Sequence, residues 1–358
     1  MTSPRGLPVR FQHLLLLTLA SSTPALAQPD APDPGPAAWR ADLAVLAGHL
    51  PHMHPAPFTK VSRAAWDSAV AAVDQQLPRL SAEEAAVAFQ RLVALIGDGH
   101  TSLHPFFEPA LRRRVYPFEL YAFAEGVFVR RAGPSHGGLV GARVVRYGRA
   151  SIEEALAAVA TTISADNHWW IQGQAPRRLS LPSVARGLGL ADAPDAIRLV
   201  IEREGVQDTV VVPAEAAPAE GNHGAFWPPP HWKDMAATPP PWRQDPWLLW
   251  WSRWLPESGT LYVVERGIER EFHGETHGAF WARVFALADS LPVRRLVLDL
   301  RENTGGNAFL SREIVKGIVR RPGLDSTRFY VITGRETFSA AMNLANELEY
   351  YTGAVFAG

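Results

Sequence analysis

The chain has 358 residues, enough for two or three domains, and 47% of them are apolar, enough for a substantial core. Its 35 basic and 36 acidic side chains leave a net charge of −1, which excludes the basic footprint of a nucleic-acid binder. Cysteine is absent, so disulfides, thiolate metal sites and a cysteine nucleophile are excluded, and chemistry falls to oxygen and imidazole. In chain order, Arg5 and Arg10 precede the apolar run at Leu14–Leu17, and Ala25-Leu26-Ala27 forms an A-x-A cleavage pattern. Residues 1–27 therefore read as a secretory signal peptide, with a periplasmic or extracellular destination. The apolar run is too short for a membrane anchor, and no cysteine follows it to carry a lipid. Residues 28–37, rich in Pro, Asp and Gly, read as a flexible tether.

Residues 38–104 read as a helical region: Trp66, Val70, Val73 and Leu77 fall on one stripe, and Ser81 with Glu84 makes a capping box for the next helix. Residues 105–213 read as mixed α/β. Strands are expected over Val115–Phe123, Val127–Arg131, Ala142–Tyr147, Ile197–Glu202 and Thr209–Val212, with a helix from Ile152 to about Thr161. Residues 214–258 hold seven of the twelve tryptophans among proline runs. They read as a packed connector, or as an aromatic wall for a peptide or sugar. Residues 259–358 give strands at Thr260–Glu265, Arg295–Leu300, Phe329–Thr333 and Ala354–Phe356. These alternate with helices at Phe280–Ser290, Phe309–Val319 and Ala340–Tyr350, the rhythm of a parallel α/β core.

Three motifs carry candidate chemistry. Leu298-Asp299-Leu300-Arg301-Glu302-Asn303-Thr304-Gly305-Gly306 ends a buried strand in a double glycine, which serves either an oxyanion hole or a plain tight turn. Thr337-Phe338-Ser339-Ala340-Ala341 puts Ser339 at a helix start, as nucleophile or as an ordinary N-cap. Gly97-Asp98-Gly99-His100-Thr101 offers His100 as a general base, or as a structural histidine. His104 lies four residues beyond His100, but Pro105 and the missing glutamate argue against a zinc pair, and His52-Met53-His54 is a similarly weak metal pattern. Gly133-Pro134-Ser135-His136-Gly137 matches a nucleophile elbow in letters only, because a strand and not a helix is expected after it.

The helical start, the GDGHT loop, the LDLRENTGG turn and the TFSAA helix start occur in the order found in the C-terminal processing and tricorn-like serine peptidases, the tail-specific proteases. The chain resembles that family from about Ala38 onward. The resemblance implies a crotonase/ClpP-like catalytic core, Ser339 as nucleophile, His100 as base, and an oxyanion hole from Gly305 or Gly306 with the Ala340 N–H. It also implies that Leu139–Leu156 corresponds to a PDZ-like peptide-binding segment. Relatives with a Ser-Lys pair carry the lysine about two dozen residues after the serine. This chain has only Lys60, Lys233 and Lys316, all before Ser339, which favours Ser-His. The acidic partner of other members lies well downstream of the serine, so the core is expected to be truncated at its C-terminus, with Asp98 and Asp299 as supporting carboxylates. The functional expectation is an exported serine endopeptidase acting on peptides or proteins, with no cofactor or metal. The alternatives are a non-catalytic relative that binds peptide or a hydrophobic ligand and, more weakly, an esterase.

Overall fold

The structure, a computed structural model, describes residues 34–103, 114–217, 231–321, 323 and 328–358. The expected signal peptide, His104 and Trp227 lie outside the described residues. Helix α1 (Pro36–Met53) starts at a proline, α2 (Arg63–Gln76) is capped by Ser62 and α3 (Ala82–Ala94) by the Ser81/Glu84 box. Their apolar faces meet over Leu43, Trp66, Leu77, Phe89, Leu92 and Ile96, while Val70 and Val73 of the expected stripe pack at the margin. Gly97, at φ +71°, turns the chain out of α3 into the GDGHT loop.

A meander of five antiparallel strands follows, in spatial order β1 (Phe118–Phe123), β2 (Gly126–Ala132), β3 (Arg143–Tyr147), β4 (Ala196–Arg203) and β5 (Val206–Pro213). The strand expected from Val115 is interrupted at Pro117, which has no N–H to give a ladder, and Arg114–Val115 pairs instead with Glu215–Ala216. Helices α4 (Ile152–Ala160), α5 (His168–Arg178) and α6 (Pro182–Gly187) supply Val159, Leu179 and Val184 to the core of this sheet. The elbow-like Gly133–Gly137 letters lie at a short 3-10 turn, Pro134–Leu139, ahead of β3.

The second sheet has the order β6 (Trp250–Leu255), β7 (Thr260–Glu265), β8 (Arg295–Asp299), β9 (Phe329–Ile332) and β10 (Val355–Ala357). Only β6 runs antiparallel to its neighbour; the other pairings are parallel. Every residue of β7 is buried, as a strand covered on both faces requires. Helices α7 (His277–Ser290), α8 (Ser311–Val319) and α9 (Ala340–Tyr351) are the crossovers, and Phe280, Trp281, Val284, Ile314 and Leu344 fill the core with Leu261, Leu298 and Val331. The tryptophan-rich stretch thus contributes an edge strand: Trp250 packs on Phe272, His277 and Phe280, and Trp251 on Tyr262. No helix among the described residues is long and apolar enough to cross a membrane.

Candidate active site

Strands β8 and β9 are parallel neighbours, so the loops leaving their C-terminal ends emerge at the same edge of the sheet. Two hydrogen bonds lace those loops together and a third closes the turn after β9. Thr337 Oγ1 donates to the Leu300 carbonyl at 2.7 Å and accepts from Gly334 N–H at 2.9 Å, and Phe338 N–H donates to the Asn303 carbonyl at 2.9 Å. Ser339 follows at φ 52° and ψ −123°, a backbone region costly for a residue with a Cβ. Its hydroxyl makes no N-cap hydrogen bond to α9. Gly305 lies so close that a Cβ on it would sit 2.6 Å from the Ser339 Cβ, which only glycine at φ +110° permits.

His100 reaches this serine from 239 residues away, with Nε2 2.8 Å from Oγ. With the ring proton on Nδ1, Nε2 accepts the serine O–H. The imidazole stacks on Phe338 at 4.4 Å between centroids, and Phe338 stacks in turn on Trp170 at 4.5 Å. Polar ties hold the GDGHT loop. Lys60 donates to the carbonyls of Gly97 (2.7 Å), Ala165 (3.0 Å) and Asp166 (3.2 Å), which uses all three ammonium hydrogens. Gly99 N–H donates to Asp166 Oδ2 at 3.1 Å, and Ser164 Oγ donates to the Asp98 carbonyl at 2.8 Å.

Asp98 lies beside His100 without a direct hydrogen bond to its ring, Oδ1 standing 3.8 Å from Nδ1. The same oxygen accepts from the His100 backbone N–H at 3.0 Å, and Oδ2 accepts from His54 Nε2 at 2.9 Å and Thr101 Oγ1 at 2.8 Å. Partial burial pushes the Asp98 carboxyl up, but those hydrogen bonds outweigh it and hold it below the usual carboxylate range. Asp299 is engaged elsewhere, with Tyr262 and Arg301. Gly305 N–H donates to Asn303 Oδ1 at 2.9 Å. The bridge between Ile268 and Gly306 uses the Gly305 carbonyl and the Asn307 N–H, so the Gly306 N–H takes no part in it. Ala340 opens α9, where a backbone N–H has no partner within the helix. Lys316 is exposed on α8 and paired with Glu313.

Behind the Ser339 turn lies a buried ionic cluster that the sequence did not announce. Glu119 and Arg130 pair across the first sheet, Arg131 reaches Asp234 at 2.7 Å, Arg266 reaches Glu302 at 3.3 Å, and Arg177 reaches Glu336 at 3.0 Å. Burial, reinforced by the charges of Glu302 and Glu119 and only partly offset by Arg177 and Arg130, pushes Glu336 up to about 7. His54, Lys60 and Asp166 were also missed as parts of the site. A metal-like spacing and the scarcity of lysine were the only signals for the first two. Among the described residues no group of three His, Asp or Glu side chains is placed to hold a metal ion.

No family model matches the sequence, and no curated protein matches it. Among solved structures, a CPAF mutant with a serine replaced by alanine superposes at TM-score 0.60 and 14% identity, over 90% of this chain and 83% of that one. Mature CPAF gives TM-score 0.59 and 13% identity over the same shares. The photosystem II D1 C-terminal processing protease aligns at TM-score 0.35 with 15% identity, over 82% and 74%, too loosely to argue from. The described chain therefore has the fold of CPAF, a mixed α/β architecture of helices and several sheets.

Proposed function

We propose that this protein is a serine-type endopeptidase with a crotonase/ClpP-like core, Ser339 as nucleophile and His100 as general base. The observation that carries the reading is the 2.8 Å approach of His100 Nε2 to the hydroxyl of a serine that caps nothing and is held at positive φ. In the reaction His100 Nε2 takes the hydroxyl proton as Oγ bonds the scissile carbonyl carbon. The Gly306 and Ala340 N–H groups receive the oxyanion, the Gly305 N–H being engaged with Asn303. Collapse breaks the C–N bond, the proton passes from His100 to the departing amine, and water hydrolyses the acyl-serine by the same route. The His100 side chain is 59% exposed, which leaves its face open to a peptide.

The test is labelling with a fluorophosphonate probe together with hydrolysis of a peptide library. Wild type labels and cleaves, whereas Ser339→Ala neither labels nor cleaves above about 10⁻³ of the wild-type rate. Full hydrolysis by Ser339→Ala would remove the assignment. The proposal includes export to the periplasm or beyond, resting on the segment from Arg5 to Ala27. Amino-terminal sequencing of secreted protein that begins at Gln28 checks it.

A further inference from the structure

We propose that His54 is a positioning residue of this reaction: through Asp98 it holds a carboxylate opposite His100 Nδ1, where the imidazolium formed during attack needs its counter-charge. The inference rests on the peptidase reading above. It begins at the end of α1, where His54 is the C-cap and its side chain is only 12% exposed. Its Nδ1 accepts the Ala56 N–H at 3.1 Å, so the ring proton lies on Nε2 and is donated to Asp98 Oδ2. Pro55 and Pro57 flank Ala56 and stiffen the turn that presents this acceptor.

Asp98 is then donated to from three sides. His54 and Thr101 occupy Oδ2, and the His100 backbone N–H occupies one lone pair of Oδ1. The remaining lone pair of Oδ1 is on the oxygen 3.8 Å from His100 Nδ1. When the Ser339 proton passes to His100 Nε2, the second ring N–H, on Nδ1, faces that oxygen. No proton moves to Asp98, and the proton on Nε2 leaves with the amine. Charged groups on the adjoining segments are engaged elsewhere. Lys60 is tied to three carbonyls, Asp166 accepts from Gly99, Arg335 donates to the Ala122 carbonyl, and Glu336 pairs with Arg177. Asp98 is the carboxylate whose oxygen faces Nδ1.

The deciding experiment is an NMR titration of the His100 imidazole in the full chain, its resonance identified by loss in His100→Gln. The series compares wild type with Asp98→Asn, His54→Ala and His54→Gln. Asp98→Asn should move the His100 midpoint down, the direction expected on losing an opposite charge beside the ring. His54→Ala should move it the same way by less. His54→Gln, whose amide can donate from nearly the same position, should restore it. In peptide hydrolysis kcat should fall about 100-fold in Asp98→Asn and about tenfold in His54→Ala, with KM unchanged. An unmoved midpoint in both Asp98→Asn and His54→Ala overturns the proposal. If His54→Ala fails to melt cooperatively, His54→Phe fills the space without a donor and decides by the same titration. Failure of wild type to label with fluorophosphonate counts against the peptidase reading alone, because the titration needs no turnover.

Discussion

Ser339 stands on a turn whose neighbours are buried strand ends, and its place is set by the register of β8 against β9 and by backbone bonds between their loops. His100 stands on a loop beyond the end of α3, set by single polar ties from His54, Lys60, Ser164 and Asp166. The nucleophile side is thus coupled to the cooperative core, and damage there costs both fold and chemistry. The base side can lose a tie while the core stays intact. Variants on the two sides should separate these consequences.

The largest effect is expected at Gly305. Gly305→Ala puts a methyl 2.6 Å from the Ser339 Cβ at a φ that alanine resists, and kcat should fall by about 10²–10³ together with the melting temperature. A variant with normal turnover would show that the serine turn has room to give.

Next is Glu336, three residues before Ser339. The folded protein holds a proton there up to about pH 7, while an unfolded carboxyl releases it near 4.5. The associated stability is fully present below the lower value and is lost as pH rises through the higher one. Urea melts should show wild type losing up to about 3 kcal/mol relative to Glu336→Gln between pH 4.5 and 8. A difference that stays flat over that range would refute the prediction.

Lys60→Met tests the base side. It removes the ammonium that joins Gly97 of the GDGHT loop to Ala165 and Asp166 without touching either sheet, so kcat should drop about tenfold while the main calorimetric transition shifts by only a few degrees. Equal losses of activity and stability would erase the distinction between the two sides. Phe338→Leu has the smallest expected effect. It removes the ring between His100 and Trp170, worth about 0.5–1.5 kcal/mol, and should broaden the orientation of the base with a few-fold loss of kcat.

Local pattern carried the sequence reading far where one element suffices. β7 falls at Thr260–Glu265 as expected, and α9 and β9 agree to within one residue, because buried strands and crossover helices announce themselves by unbroken or periodic apolar runs. Helices α5 and α6 stayed hidden, since Gly173 and Pro176 depress helix propensity in α5 and the six residues of α6 are too few to show an apolar period. The edge strand Trp250–Leu255 was absorbed into the connector for want of alternation. The site was legible as two separate candidates, His100 and Ser339. Its supports were not, because His54 and Lys60 act over 44 and 106 positions and no local period records such a pairing. The ionic cluster around Glu336 escaped for the same reason: in sequence its members look like ordinary surface charges.

The separation of 239 residues between His100 and Ser339 also sets a clock. A ribosome adding about 5–20 residues per second needs about 10–50 s to travel from one to the other. During that interval the nascent chain displays a histidine without its serine, and afterwards the strained serine turn still has to await α9, which follows it in the chain. On the proposed reading, hydrolysis therefore begins only after Ser339 and the strands beside it have been made and folded, which spares the ribosome from a peptidase assembled while synthesis is still short of that point.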